Sequence, residues 1–110
     1  MAARVSKRHP SIEPSLPGAL LAEIVIPATG KSRSEIARLL GISRMSLYAV
    51  LRGRQGVTPA MAARLGALFG NGPAFWLDMQ QAVDLWHAER DLASELAAIK
   101  TSCLKVTTVE

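Results

Sequence analysis

Arginine and hydroxyl side chains are concentrated between residues 33 and 54, around the stretch LGISRMSLYAVLRGRQG at 40–56. Arginine forms bidentate hydrogen bonds with guanine in the major groove of DNA, and arginine and hydroxyl groups both bind phosphate oxygens. These residue types suit recognition of a nucleic acid better than catalysis. The alternative explanation at this point is that scattered arginines only solvate helix surfaces.

A capping pattern and a glycine mark the first of two short helices in this region. Ser32 and Glu35 form the Ser-x-x-Glu pattern of a capping box, in which each side chain satisfies the other's free backbone N–H, so a helix is predicted to begin near Arg33. One face of this helix carries Ile36, Ala37 and Leu40. Gly41 follows where a residue in the left-handed conformation would end it.

The second short helix is predicted to begin after Ser43 and to end at Gly53. Its buried stripe has helical spacing and consists of Leu47, Val50 and Leu51. Two such helices joined by a turn at Gly41 form a helix-turn-helix, whose second helix fits the major groove. Ala37 has to be small because the helices cross closely there. An ordinary helical hairpin is the alternative, but every position of the motif is filled and its flanks are basic.

Three further helices are predicted around this pair. Pro17 suits a first helical position, and the helix that it opens is expected to stop at Pro27 and Gly30. A fourth helix follows Thr58, and Pro73 opens a long fifth helix that reaches to about residue 99. The chain is therefore predicted to be an all-α domain of five helices with an extended C-terminal helix.

Three segments divide the chain in this prediction. Residues 1–15 form a flexible basic arm, residues 16–100 form the helix-turn-helix domain with its C-terminal helix, and residues 101–110 form a tail. The tail is rich in Val and Thr, so it is either frayed or a short strand. The chain has 110 residues, of which 49% are hydrophobic and 20% charged, which suits one modest globular core.

The charges are divided unevenly along the chain. Residues 1–64 hold ten Lys and Arg against three Glu, a balance of +7, whereas residues 65–110 hold three against six acidic residues, a balance of −3. A basic field favours polyanions because it neutralises phosphates and releases counterions. The acidic half argues against nucleic acid wrapping along the whole chain, so the two halves are expected to meet different partners.

Signals for other chemistry are weak. His87 lies at helical spacing from Asp84 and Asp91, but a polar outward stripe explains these residues without a metal. Cys103, the single cysteine, excludes an intramolecular disulfide and has no histidine at a catalytic spacing. The aromatic residues of the last helix are Phe75, Trp76 and Trp86. Their helical spacing favours core and dimer packing over a ligand cage. We expect no catalytic residue, metal or cofactor.

The expected compartment is the cytoplasm. A lone cysteine is typical of a reducing environment, and no apolar signal core follows the basic start of the chain. No apolar run approaches the length of a membrane span, so no membrane association is expected.

The segment from about Leu16 to Trp86, roughly two thirds of the chain, resembles the HigA-type antitoxins of the lambda-repressor-like (Xre) class. The matching stretches are PGALL, SEIARLLGISRMSLYAVLRGRQGVTPAMAARLGALFG and FWLDMQQAVDLW. The last of these is similar to the family's Phe-Trp-Leu-x-x-Gln-x-x-x-x-x-Trp signature, which narrows the match beyond repressors in general. The chain departs from the family at Leu16 and Ala19, where His-Pro-Gly-Glu is usual, and at Arg52, where asparagine is frequent.

The resemblance implies a lambda-repressor-like fold and two binding activities. A homodimer would bind a palindromic operator in double-stranded DNA upstream of its own operon, and the same protein would neutralise a small ribosome-dependent RNase toxin. Two alternatives remain at this stage. In the first, the chain would be a stand-alone Xre-type repressor without a toxin partner. In the second, it would be a helical protein-binding module without DNA contact.

Nine residues are the candidate DNA contacts: Arg33, Ser43, Arg44, Met45, Ser46, Tyr48, Ala49, Arg52 and Arg54. Arg44 is the expected reader of guanine, and Met45 or Ala49 is placed to meet a thymine methyl group. The hydroxyl-bearing members of the set are expected to contact phosphates. The three remaining arginines are expected to grip the backbone on either side of the second short helix.

Overall fold

The computed structural model describes residues 12–106, which are helical apart from their connections and ends and contain no strand. Helix α1 is continuous and has three segments, Pro17–Leu20, Leu21–Val25 and Ile26–Thr29. Five further helices follow: α2, Arg33–Leu40; α3, Arg44–Leu51; α4, Pro59–Phe69; α5, Pro73–Asp91; α6, Ala93–Lys100. The predicted all-α class is confirmed. Most of the predicted arm and the end of the predicted tail lie outside the described residues.

One hydrophobic core joins the first five helices. Its buried side chains are Leu21, Ile26, Ile36, Ala37, Leu40, Leu47, Val50, Leu51, Val57, Ala62, Leu65 and Trp76. The predicted buried faces of α2 and α3 are part of this core. Because burial of apolar area is the main favourable term in folding, this core fixes α2 and α3 on α1, α4 and α5.

The turn between α2 and α3 has the predicted geometry. Gly41 adopts φ +76°, a left-handed conformation that glycine accepts without strain. Each helix begins at a serine cap: the Ser32 hydroxyl accepts from the Glu35 N–H at 3.1 Å, and the Ser43 hydroxyl accepts from the Ser46 N–H at 3.0 Å. These contacts determine where both helices of the motif begin and where the first one ends.

The predicted capping box at α2 is only half formed. The Ser32 hydroxyl caps the helix, but the Glu35 carboxylate pairs with the Arg38 guanidinium one turn later instead of reaching back to the Ser32 N–H. An ion pair at a spacing of three residues competes for the same carboxylate. The reciprocal contact that the sequence pattern predicted is therefore absent from α2.

Helix α1 continues past Pro27, where it was predicted to stop. Its middle segment, Leu21–Val25, is a π-helix, in which the Ile26 N–H donates to the Leu21 carbonyl. A proline ring collides with the carbonyl four residues earlier in a regular α-helix, and the wider π turn before Pro27 accommodates it. Gly30, with φ +72°, ends the helix as predicted.

The predicted long fifth helix is two helices, α5 and α6, which break at Leu92. The backbone there has φ −104° and ψ 14°, outside the helical range. No side chain of α6 is buried, so core packing does not hold it in line with α5. Residues 101–106 of the predicted tail follow α6 as exposed chain.

The chain just before α1 is attached to α5. Pro14 is buried, and Glu13 Oε2 lies 2.7 Å from His87 Nε2. Residues 12–15, the described end of the predicted arm, are therefore in contact with the helical domain.

Gly18 allows α1 to approach the end of α3. A Cβ atom at Gly18 would lie 2.0 Å from the Val50 carbonyl oxygen and 3.0 Å from that of Leu51. Gly18→Ala is expected to lower the free energy of unfolding by about 3 kcal/mol, since the atoms in the way are backbone. Urea unfolding checks this, with Glu23→Ala on the exposed side of α1 as the control. Equal midpoints for the two variants would contradict the close approach.

Candidate nucleic-acid interface

The exposed side of α3 carries the side chains predicted to face DNA bases. Arg44 is exposed, and Met45 is 82% exposed, although methionine is an apolar residue. Ala49 is half-buried, one turn after Met45, whereas Leu47 and Val50 point into the core. The surface of α3 thus offers a guanidinium beside apolar atoms, which are the groups that contact guanine and the thymine methyl in a major groove.

Hydroxyl groups lie at the N-terminus of α3. Besides capping the helix, the Ser43 hydroxyl donates to the Ser46 hydroxyl at 3.0 Å. Free backbone N–H groups and the helix dipole favour an anion at such a terminus. Ser43 and Ser46 therefore meet the chemical requirement for a phosphate contact.

Ser34, in the first turn of α2, lies beside the expected guanine reader. Arg44 Nη1 is 3.4 Å from the Ser34 hydroxyl, longer than a strong hydrogen bond. The contact between Ser34 of α2 and the Arg44 guanidinium is therefore weak. Sequence reasoning did not include Ser34 among the candidate residues, and no local pattern marks it.

Arg33, Tyr48 and Arg52 lie together although they come from different parts of the motif. The guanidinium carbons of Arg33 and Arg52 each lie 5.5 Å from the centroid of the Tyr48 ring. Arg33 opens α2 and Arg52 directly follows α3. The structure thus gathers three of the nine candidate residues around one aromatic ring.

Arg54 lies in the exposed connection after α3, where its backbone N–H donates to the Ala49 carbonyl at 2.9 Å. The connection is fixed by Gln80 of α5, whose Oε1 accepts from the Val57 N–H at 2.9 Å. Gln80 Nε2 also donates to Asp84 Oδ1 at 2.9 Å, so the buried amide is oriented. Sequence reasoning missed this role of Gln80. The sequence signal for this role was that Gln80, the first glutamine of FWLDMQQAVDLW, matches the glutamine of the family signature.

Arg64 of α4 holds the turn of the motif. Its Nη1 donates to the Leu40 carbonyl at 2.7 Å, at the C-terminal end of α2. A cation at a helix C-terminus satisfies carbonyls that have no partner within the helix. Arg64 therefore acts on the geometry of the motif and not on its exposed surface.

Four candidate arginines have no carboxylate partner among residues 12–106: Arg33, Arg44, Arg52 and Arg54. Arg38 differs, because its hydrogen bonds hold the pKa of the Glu35 carboxyl below its ordinary value and raise the pKa of the Arg38 guanidinium. The positive charge beside α3 is therefore uncompensated within the described chain, and it favours a polyanion.

The other residues considered for chemistry lie elsewhere. His87 contacts Glu13, and no group of three potential metal-ligating side chains occurs between residues 12 and 106. Trp76 is buried between Phe69 and Phe75, while the Trp86 ring stacks with the Arg90 guanidinium at 3.8 Å. Trp86 does not join the other two aromatic residues in a cage. None of the helices in this range has the length and hydropathy that a bilayer span requires.

Comparison with known proteins identifies relatives over most of the chain. An HTH-type transcriptional regulator of Escherichia coli strain K12, YbaQ, is 34% identical over 81% of this chain and 80% of its own length. Antitoxin HigA-1 of Vibrio cholerae is 34% identical over 88% of each chain. The structure of antitoxin GraA in complex with its operator is 34% identical, with a TM-score of 0.72, over 88% of this chain and 95% of that one. No family model matches.

Proposed function

The chain belongs to the HigA-type antitoxin family of helix-turn-helix proteins, and from that premise we propose that it binds the operator of its own operon and neutralises a toxin. The observation that carries the DNA-binding part is the exposed surface of α3, which lies among four arginines without carboxylate partners. Arg44 reads guanine, Met45 and Ala49 meet thymine methyl groups, and α3 enters the major groove.

The remaining candidate residues position the protein on the DNA backbone. The hydroxyls of Ser43 and Ser46 contact phosphates at the start of α3, and Arg54 contacts a phosphate from the connection after it. Arg33, Tyr48 and Arg52 contact the backbone as a group, around the Tyr48 ring. These contacts provide affinity and register, while the residues on the exposed surface of α3 provide sequence preference.

Footprinting on the DNA upstream of the gene tests this function. Two protected half-sites related by a palindrome and separated by a whole number of helical turns are expected, because a two-fold symmetric dimer places its two α3 helices in successive major grooves. If the protein binds bulk DNA but protects no particular segment upstream of the gene, the proposal that an operator lies there is contradicted.

Homodimerisation is part of the proposal, and the apolar side chains of α5 and of the break after it support it. Leu85 on α5 is 59% exposed, and Leu92 at the break after α5 is 44% exposed. Exposed large apolar side chains that lie together are typical of a protein interface. We propose that Leu85 and Leu92, together with Phe75 at the start of α5, form part of the dimer contact.

Leu85→Glu is expected to shift the protein from dimer to monomer at micromolar concentration, because a charge replaces an apolar side chain in the contact. Sedimentation or light scattering measures the mass of each species. Ala67→Glu, on the exposed side of α4, adds the same charge elsewhere and is expected to remain dimeric. A monomeric wild-type protein, with and without DNA, would contradict the dimer.

The proposed toxin partner is a small RNase, and its binding involves the acidic half of the chain. Residues 65–110 have a balance of −3, which complements the basic surface of an RNA-cleaving protein. Copurification with a tagged product of the neighbouring gene tests this contact. The antitoxin itself acts by binding, without catalysis, cofactor or metal, and we place it in the cytoplasm with its operator.

Residues 1–11 carry three cations, and we predict that they contribute nonspecific contacts with phosphates or with an acidic surface of the toxin. Deleting them is expected to weaken operator and random DNA alike and to lower the salt slope by up to about three charges. Affinities measured at several salt concentrations check this. Deleting residues 107–110, which hold no cation, is the control. Unchanged affinity for DNA and toxin at every salt concentration would contradict a role for the arm.

A further inference from the structure

We infer that Arg33, Tyr48 and Arg52 form one composite site for a DNA phosphate, in which the Tyr48 ring positions both arginines. The inference rests on the proposed function. Both guanidinium carbons lie 5.5 Å from the ring centroid, within the range of about 6 Å at which a cation is attracted to the π-face. Tyr48 is half-buried in α3, so its ring has a fixed place from which to hold the two longer side chains.

The charges of this cluster favour an anion shared by the two arginines. Since each guanidinium lies 5.5 Å from the same centroid, the two cations are at most twice that distance apart. No carboxylate of residues 12–106 pairs with either of them. An anion that contacts one of these cations is attracted by the other as well. A phosphodiester suits this role, because its oxygens accept hydrogen bonds from more than one guanidinium.

The position of the cluster identifies the phosphate as one of the DNA backbone. Tyr48 lies on α3, the helix that carries Arg44 and Met45, and Arg52 directly follows that helix. A phosphate held there lies beside α3, next to the residues proposed to read bases.

A simpler account gives Tyr48 a direct contact between its hydroxyl and a phosphate. The two accounts make opposite predictions for Tyr48→Phe, which keeps the ring and removes the hydroxyl. The composite site predicts that Tyr48→Phe binds operator within about twofold of the wild type. Tyr48→Leu, which removes the ring, is expected to weaken binding about fivefold or more, on operator and random DNA alike. Neither substitution changes the formal charge.

The test is fluorescence anisotropy with labelled operator and random duplexes, together with thermal unfolding of each variant. Equal losses in Tyr48→Phe and Tyr48→Leu would overturn the inference in favour of the hydroxyl contact. The same Leu substitution is also made in the Arg33→Gln/Arg52→Gln background, where no further loss is expected. A loss that persists in that background would mean that Tyr48 only supports the fold of α3, and would overturn the inference as well.

A second measurement leaves Tyr48 intact and so does not depend on the folding of its variants. Arg33→Gln and Arg52→Gln are combined in a double-mutant cycle, in which the joint loss of affinity is expected to be smaller than the product of the separate losses. Independent effects would overturn the shared phosphate. A wild-type protein that binds no DNA would overturn the proposed function and the inference together, whereas full binding by Tyr48→Leu would overturn the inference alone.

Discussion

Arg44→Ala is expected to weaken binding to the operator by about 1 to 3 kcal/mol and binding to random DNA by much less, so that the specificity ratio falls. The reason is the position of Arg44, which is the first residue of α3 and is exposed. A guanidinium there reaches base edges when α3 lies in a major groove. Anisotropy titrations of operator and random duplexes at one salt concentration measure both losses.

Arg54→Ala is the matched control, because it removes the same formal charge from a residue outside α3. Arg54 follows Gly53 in the exposed connection, where we expect it to reach a phosphate but not a base. Its loss is expected to weaken operator and random DNA by similar factors and to lower the salt slope by about one charge. If both variants lose specificity equally, or if Arg44→Ala keeps the operator preference, α3 is not the reading helix.

Trp76→Ala is expected to cost about 3 to 5 kcal/mol of the free energy of unfolding. Trp76 is 1% exposed, its ring centroid lies 4.9 Å from that of Phe75, and its indole N–H donates to Asn71 Oδ1 at 3.0 Å. Alanine would leave a large cavity in the core between α4 and α5. A loss of this size is a large share of the roughly 5 to 15 kcal/mol that stabilises a domain, so urea unfolding resolves it easily.

Phe75→Ala tests whether burial causes that loss. Phe75 is adjacent in sequence and also aromatic, but it is 44% exposed within one protomer. Because Phe75 lies in the proposed dimer contact, both variants are made in the Leu85→Glu background, and Phe75→Ala is expected to cost about 1 kcal/mol from the lost ring contact and partial burial. Equal costs for the two variants would contradict the assignment of Trp76 to the core. The folded fraction of Trp76→Ala is expected to keep its operator preference, since Trp76 lies away from the exposed surface of α3.

The helix-turn-helix was predictable because its signals are local. Ser32 and Ser43 cap helices within three residues of themselves, and Gly41 ends α2 through its own backbone conformation. Ala37 and the apolar stripes follow from helical spacing. The candidate DNA contacts on α3 follow in turn, because the buried side of a helix defines its exposed side. Their roles remain predictions that the variants above test.

The contacts that sequence reasoning missed join residues far apart in the chain. Arg64 and Leu40 are 24 residues apart, and Gln80 and Val57 are 23 residues apart. Gly18 and Val50, which approach each other closely, are further apart still in sequence. No pattern within one helix encodes such pairs, since they depend on how helices pack against one another. The contact of Arg33 with Tyr48 has the same origin, whereas Arg52 follows Tyr48 by four residues, a spacing that a single helix brings together.

Departures from regular helices were missed for a different reason. The π turn before Pro27 and the break at Leu92 each involve one turn or one residue, while the apolar periodicity continues through both. Periodicity predicts which side of a helix is buried, but it does not register a local change in hydrogen bonding. The capping box failed similarly, because the pattern did not register that Arg38 competes for Glu35.

The central claim is that α3 lies in the DNA groove, and affinity cleavage from a residue just after it tests it most directly. Cys103 is the single cysteine, so Cys103→Ser combined with Gln55→Cys gives one attachment point for an iron chelate in the exposed connection just after α3, outside the proposed DNA contacts. We predict cleavage of the operator at two positions related by its two-fold axis, one in each half-site. The same chelate at Ala67→Cys of α4 is expected to give none. Localised cleavage from residue 67, with none from residue 55, would contradict the account.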